Sequence, residues 1–344
     1  MSGTSLDGID LCLAEFKQIN SSWEHTILAS QTDSYSKKWE NKLRNIENEA
    51  AVELAQLDFE YGKLLGFHAK EFLTEHNLTA NLIASHGHTI FHQIEKGFTY
   101  QLGHGAAIAA ASDKLCINDF RSLDVALGGQ GAPLVPFGDE HLFSLFEACV
   151  NLGGIANFSL NQNGTRIAYD ICVCNMVLNY FTNKYFSVPY DKNGQISRTG
   201  NLILTLYDKL NTLGFFNTKP PKSLGKEWVH ETIIPLMEEE SAPLADKLFT
   251  FSSHVAFQIA RNLKSNGVSK NILFTGGGSK NLFLMELLRK QGLDFSLPDE
   301  KTIDFKEALI FAFLGLNRYL GITNTLKSVT GAVRDSSGGC IYYP

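Results

Sequence analysis

Three glycine-rich turns, far apart in the chain, carry the residue types that hold phosphate groups and a flat base. The first, Gly3-Thr4-Ser5-Leu6-Asp7-Gly8, runs on into Ile9 and Asp10 and combines small hydroxyls with acids. Such a loop suits a phosphate site lined by backbone N–H groups, with room for a metal ion held through water by Asp7 or Asp10. The second, Asn151-Leu152-Gly153-Gly154-Ile155-Ala156-Asn157, follows the apolar run Ala148-Cys149-Val150 and can approach the same phosphates from another domain. The third, Gly276-Gly277-Gly278, ends the strand Asn271-Ile272-Leu273-Phe274, and bare backbone there lets a base lie flat against the chain. Each turn alone is a weak signal. In this order the three suggest a nucleotide clamped between two domains.

Other residues invite polar chemistry. Ser85-His86-Gly87-His88-Thr89 sets two imidazoles close together, with His92 and His104 further on. Zinc needs three or four converging ligands, which this spacing does not supply by itself. Metal ligation, a structural role and recognition of a small polar substrate all stay open, the last favoured because loops at strand ends carry binding groups. In Asp119-Phe120-Arg121-Ser122 the guanidinium either forms a surface ion pair or reads a substrate carboxylate through two parallel hydrogen bonds. Asp170 ends the strand Arg166-Ile167-Ala168-Tyr169 and is a candidate base if it faces a cleft. The alternative is an N-cap for the following helix, although Asn175 lies nearer that helix's start. Glu307 opens an apolar helix, where capping accounts for an acid as well as function does. The run Glu238-Glu239-Glu240 reads as a solvated helix end.

The elements that must position these groups alternate along the chain. Strands are expected at Ile9–Ala14, Thr26–Ser30, Leu82–Ala84 and Leu115–Ile117, with helical periodicity from Lys37 to about Glu75 and over Ala106–Ser112. Gly128-Gly129-Gln130-Gly131-Ala132-Pro133 breaks regular structure and is the best boundary between domains. Beyond it come strands around Ala148–Asn151 and Ile155–Leu160 and a hairpin turn at Asn163-Gly164. Helices are expected over Asn175–Tyr185, Leu202–Asn211, Leu244–Lys264, Lys280–Lys290 and Lys306–Leu320. The pattern is that of an α/β protein of two lobes.

Bulk properties agree with an enzyme built around a real core. The 344 residues are 44% hydrophobic and 19% charged, enough for about two domains. A net charge of −6 argues against nucleic acid or an anionic membrane as partner. No apolar run approaches the ~20 residues that span a bilayer, and no secretory signal is visible. The six cysteines lack zinc-like pairing and read as structural thiols of a reducing cytoplasm.

Several stretches together resemble the anhydro-N-acetylmuramic acid kinase family. They are Ser2 to Asp10, Asn118-Asp119-Phe120-Arg121-Ser122, Gly128-Gly129-Gln130-Gly131-Ala132-Pro133-Leu134-Val135-Pro136, Asn151 to Asn157, Pro220-Pro221-Lys222-Ser223, Phe274 to Gly278, Glu307-Ala308 and Ser328-Val329-Thr330-Gly331-Ala332. The resemblance covers essentially the whole chain. It implies two ribonuclease-H-like lobes of the actin, hexokinase and heat-shock ATPase type around a nucleotide cleft. The first lobe would be residues 1–135, sugar- and phosphate-binding and closed by the tail 323–344; the second would be 136–322. It implies a cytoplasmic homodimer in murein recycling, converting 1,6-anhydro-N-acetylmuramic acid, ATP and water to N-acetylmuramic acid 6-phosphate and ADP with Mg2+.

On the same resemblance Asp170 is the catalytic base, and Arg121, Glu307, His86, His88 and Ser5 bind the sugar, Arg121 at its lactyl carboxylate. Gly3 to Asp10, Gly153, Gly154, Asn157, Gly276, Gly277 and Gly278 bind ATP, with Asp7 the candidate for Mg2+ through water. Three departures stand out. The family carries an apolar strand just ahead of the first loop, so a start codon upstream of Met1 is expected. Ile171-Cys172-Val173-Cys174-Asn175 replaces the family's Thr-Gly-Pro-Gly-Asn, and His88 replaces a glutamine. Loss of those glycines is the mark of an alternative, a degenerate member that binds nucleotide or muramyl sugar without turnover.

Overall fold

Alternating apolar positions from residue 9 to residue 33 build one long antiparallel hairpin, β1 (Ile9–Ile19) and β2 (Ser22–Asp33). Both strands extend well past the short segments expected from sequence. The computed structural model describes residues 1–3, 6, 8–20, 22–220 and 222–344. Thr4, Ser5 and Asp7 of the first glycine loop therefore lie outside the described residues, as do Ser21 and Pro221.

The chain divides into two units, Met1–Leu142 with Phe305–Pro344, and Phe143–Asp304. In the first, β3 (Leu82–Ala84) runs parallel to β6 (Leu115–Asn118), and β12 (Cys340–Tyr342) adds antiparallel on the far side of β6. A second hairpin, β4 (His88–Gln93) with β5 (Phe98–Leu102), carries the histidine segment. The helical stretch after β2 breaks at Ile46–Asn48 into Lys37–Asn45 and Ala51–Glu75. Ser36 starts the former by accepting the Trp39 N–H. The latter packs against the alanine-rich helix Gly105–Ser112 across Gly62 and Gly66. A Cβ on either would lie 2.8 Å from the His104 carbonyl oxygen or 2.7 Å from that of Ile108, so this close approach requires glycine.

A recess of about 490 Å³ in the first unit is lined by Ile9, Leu11 and Leu13 of β1, Leu82 and Ala84 of β3, and Ala312. Among the described residues β3 pairs only with β6, and β1 pairs with β2 apart from the bridge between Ser2 and Ile9.

In the second unit one sheet has the order β11-β10-β7-β8-β9. Its members are β7 (Ala148–Leu152), β8 (Ile155–Gln162), β9 (Thr165–Val173), β10 (Ile272–Thr275) and β11 (Phe295–Ser296). The first three are antiparallel; β10 runs parallel to β7 and β11 parallel to β10. This is the ribonuclease-H-like order. The β8–β9 turn has Asn163 at φ 53° and Gly164 at φ 80°, the left-handed pair that a two-residue hairpin needs. The helix Leu244–Ser265 buries Phe251, Val255 and Ile259 in one core with Phe158, Ile171 and Phe274 of the sheet.

The last long helix spans Glu300–Tyr319, beginning earlier than the expected Lys306. Asp299 accounts for the difference, because its carboxylate accepts the Thr302 N–H at 2.8 Å and caps the first turn. Within the first unit this helix is held to Val135–Leu142 by the buried Lys306–Asp139 pair, N to O 2.7 Å. Breaking such a pair by removing one partner typically costs ~3–5 kcal/mol. All six cysteines are free thiols, with Cys116, Cys149, Cys172 and Cys174 buried, Cys12 half-buried and Cys340 exposed. Among the described residues no helix is long and apolar enough to cross a membrane.

Candidate active site

Asp170 does not end its strand; β9 continues to Val173, and a bulge takes the place of an end. Asn157 lies opposite Asp170 while Ala156 lies opposite Cys172, so Ile171 is an extra residue in the ladder. Ile171 and Cys172 are both fully buried, whereas Asp170 is only half-buried. A bulge of this kind re-aims one side chain while its neighbours stay in the core. The segment after Pro221 lies along this strand: the Asp170 N–H donates to the Lys222 carbonyl, and the Leu224 N–H donates to Asp170 Oδ2 at 2.8 Å. Burial pushes the Asp170 carboxyl above the usual aspartate value, and the Leu224 bond partly opposes it. The carboxylate thus has one oxygen fixed and caps no helix. The following helix, Asn175–Phe186, has Cys174 at its cap with no side-chain bond.

The second and third glycine turns converge within this same unit. Asn175 Nδ2 donates to the Leu152 carbonyl, and Gly278 lies against Leu152 and Asn175 so closely that a Cβ would be 2.7 Å from Leu152 Cβ. Gly276, at φ 80°, faces Asn151 Oδ1. Gly277 differs from both: it is exposed, and a Cβ there would meet nothing within 4 Å. Gly153 and Gly154 likewise have only ordinary contacts around an added Cβ, the nearest at 3.4 Å. The structure therefore has two kinds of glycine here, those that pack and those that leave a surface bare.

In the first unit Arg121 is the hub. Its Nε and Nη2 donate to His86 Nε2 at 3.0 and 2.8 Å, and its Nη1 donates to the Gly131 carbonyl at 2.7 Å. No ion pair with Asp119 forms; that carboxylate accepts the Ser122 hydroxyl instead. Burial, reinforced by the guanidinium, holds His86 well below the usual histidine pKa, so the ring is neutral. With Nε2 accepting from Arg121, Nδ1 carries the proton and donates to the Gly87 carbonyl at 3.0 Å. Among the described residues three of the five guanidinium N–H groups are engaged in this way, which leaves two.

Glu307 stands about two turns into its helix, too far from the N-terminus for capping to explain it. Its side chain reaches water yet sits deep among protein atoms, and lost hydration raises its carboxyl pKa while Arg121 opposes the rise. Gly8 and Ile9 are buried where β1 begins, and Asp10 accepts the Thr32 hydroxyl at 2.6 Å. The Leu6 N–H donates to the Gly3 carbonyl.

The four histidines have four different settings. His88 Nδ1 is 2.9 Å from the Ser2 hydroxyl, which also accepts from Tyr35, and burial lowers its pKa to about 4. His92 meets the Thr99 hydroxyl, and His104 accepts the Ala106 N–H and stacks on Phe59. Among the described residues no group of three or more His, Cys, Asp or Glu could hold a metal ion.

Sequence reasoning missed two participants. Lys222 and Ser223 were visible only as part of a motif and Leu224 not at all, without a hint that this backbone would flank Asp170. Gly131, noted for breaking structure, turns out to be the carbonyl that holds Arg121.

A family model described as anhydro-N-acetylmuramic acid kinase matches residues 1–344. Similar curated proteins include the anhydro-N-acetylmuramic acid kinase of Actinobacillus pleuropneumoniae serotype 7, 34% identical over 99% of this chain and 97% of that protein. The protein of the same description from Vibrio cholerae serotype O1 is 32% identical over 100% of this chain and 97% of its own. Among solved structures, the activator of the 2-hydroxyisocaproyl-CoA dehydratase from Clostridium difficile with bound ADPNP matches at TM-score 0.38 and 14% identity. That match covers 84% of this chain and 89% of the other, and carries no weight beside the family match.

Proposed function

Because the chain belongs to the anhydro-N-acetylmuramic acid kinase family, we propose that it opens the 1,6-anhydro ring of 1,6-anhydro-N-acetylmuramic acid and phosphorylates O6 at the expense of ATP. The observation that carries this reading is the match over the full 344 residues, with Asp170 on its bulge inside it. Water loses a proton to Asp170 and attacks C1, the C1–O6 bond breaks, and O6 takes the γ-phosphoryl group as ADP departs. Opening and transfer together avoid a free alkoxide. One Asp170 oxygen is fixed by Leu224, which leaves the other to accept the proton.

The bare surface at Gly277 and the unstrained surroundings of Gly153 and Gly154 support nucleotide contact in the second unit, with Gly276 and Gly278 as the packed supports of that turn and Asn157 opposite Asp170. The loop from Gly3 to Asp10 in the first unit is the proposed phosphate cradle; of its residues Thr4, Ser5 and Asp7 lie outside the described ones. Magnesium would arrive with the nucleotide, since that ion keeps waters and phosphate oxygens and needs no protein cage. It would neutralise phosphate charge, with Asp7 its proposed water-mediated ligand on the family reading alone.

In the first unit the two remaining N–H groups of Arg121 match the lactyl carboxylate, with Glu307 proposed at the sugar. The buried His86 acts through Arg121, and His88 is engaged with Ser2. We assign the protein to the cytoplasm as a homodimer of murein recycling, on the family reading.

The test is ADP release with and without the anhydro-sugar, with N-acetylmuramic acid 6-phosphate identified as product. Binding of both ligands without sugar-dependent ADP would replace catalysis by the degenerate alternative. A finer test is Arg121→Lys, which keeps charge but loses the planar fork. We expect KM for the anhydro-sugar to rise on the order of 10–100-fold, with little change for an analogue lacking the lactyl group. Equal losses for both ligands would make Arg121 a support of the fold.

A further inference from the structure

Asp124 is fully buried, at 1% exposure, and both its oxygens are spoken for. Oδ2 accepts the Gly131 N–H and Oδ1 accepts the Thr330 hydroxyl, each at 2.7 Å. Backbone bonds complete the arrangement: the Gly129 N–H donates to the Asp124 carbonyl and the Gln130 N–H to the Thr330 carbonyl, both at 2.9 Å. Gly129 and Gly131 are glycines that the carboxylate and its turn demand. A Cβ on Gly129 would lie 2.2 Å from Asp124 Oδ2, and Gly131 has φ 65°. The residue so held, Gly131, also carries the carbonyl that accepts Arg121 Nη1.

We propose that Asp124 and Thr330 form a clamp that positions Arg121 for the substrate carboxylate. A guanidinium gripped on one edge by His86 and at Nη1 by Gly131 presents its free N–H groups in one direction only. Its grip at Gly131 is only as firm as the turn behind it. Thr330, more than two hundred residues away in sequence, closes that turn through one hydroxyl. The two are positioning residues, since neither contacts the ligand on this reading, and specificity for a carboxylate-bearing sugar depends on them at second hand. The inference rests on Arg121 as the carboxylate reader.

Thr330→Val removes the hydroxyl at nearly constant shape and leaves Asp124 with Gly131 alone. Expected is a ~10-fold rise in KM for the anhydro-sugar, with kcat within about twofold, KM for ATP unchanged, and no change for the analogue lacking the lactyl group. Thr330→Ser should restore the wild-type KM. In an Arg121→Lys background Thr330→Val should add little, because the two act as a unit. If Arg121→Lys alone shows no preference between sugar and analogue, the carboxylate reading has failed. If it does show one while Thr330→Val in a folded protein leaves KM unchanged, raises it equally for both ligands, or adds its full effect to Arg121→Lys, the clamp is overturned. Should Thr330→Val not fold, Asp124→Asn carries the same comparison.

Discussion

Asp170→Asn should lose ~10²–10⁴-fold in kcat while melting at the wild-type temperature and binding ATP with unchanged affinity. Asparagine keeps an oxygen for the Leu224 N–H but cannot take a proton from water. Its pH signature is equally specific. Burial raises the Asp170 carboxyl above the ordinary aspartate value, so the base is lost as pH falls through that raised pKa. In the wild type kcat/KM should fall on the acid side there, and in Asp170→Asn that limb should vanish. Turnover in oxygen-18 water must place the label on the C1 hydroxyl of the product, with the phosphate ester unlabelled. Label in the phosphate would mean simple ATP hydrolysis, and a fully active Asp170→Asn enzyme would move the base elsewhere, with Glu307 the next group to test.

Gly277→Val should weaken ATP binding by roughly 10–100-fold, the penalty for one branched side chain forced into a filled contact. Its value as a test comes from the surroundings. No heavy atom lies within 4 Å of the position a Cβ would take, and the residue is exposed, so the free protein should keep its stability. Gly276→Val is the contrasting variant, since φ 80° and an Asn151 oxygen 2.5 Å from the added Cβ predict a fold-level defect instead. Calorimetric titration of ATP into Gly277→Val decides the matter: unchanged affinity removes this turn from the nucleotide site. Sugar binding should persist.

Most elements were legible because their signals are local. Asn163-Gly164 marks a hairpin by backbone chemistry alone, and Leu244–Lys264 shows helical periodicity over many turns. The last helix was read short because its start depends on Asp299, a cap set among polar residues with no apolar rhythm around it. The site was legible as residue types and opaque as geometry. Nothing in Tyr169-Asp170-Ile171-Cys172 says that two consecutive side chains turn inward, since a bulge is fixed by pairing with β8. Likewise Arg121 gave two open readings, and the ion pair with Asp119 gave way to His86 and Gly131, partners that only the fold brings within reach. Asp124 offered no signal at all; a buried carboxylate satisfied by backbone and hydroxyl donors looks like any surface acid when written as a letter.

The distribution of thiols has a practical side. Cys172 and Cys174 sit on either side of Val173, just beyond Asp170, yet both are buried and held protonated, so oxidants and alkylating reagents find no thiolate beside the Asp170 carboxylate. Cys12 is half-buried with its pKa pushed up to about 12, which leaves Cys340 as the exposed sulfur. Cys340 pairs in β12 with Asn118, three residues before Arg121. The fold thus leaves one exposed thiol as an attachment point, where a slow-reacting maleimide fluorophore would sit a short way along the backbone from Arg121 and report on its surroundings as a change in emission.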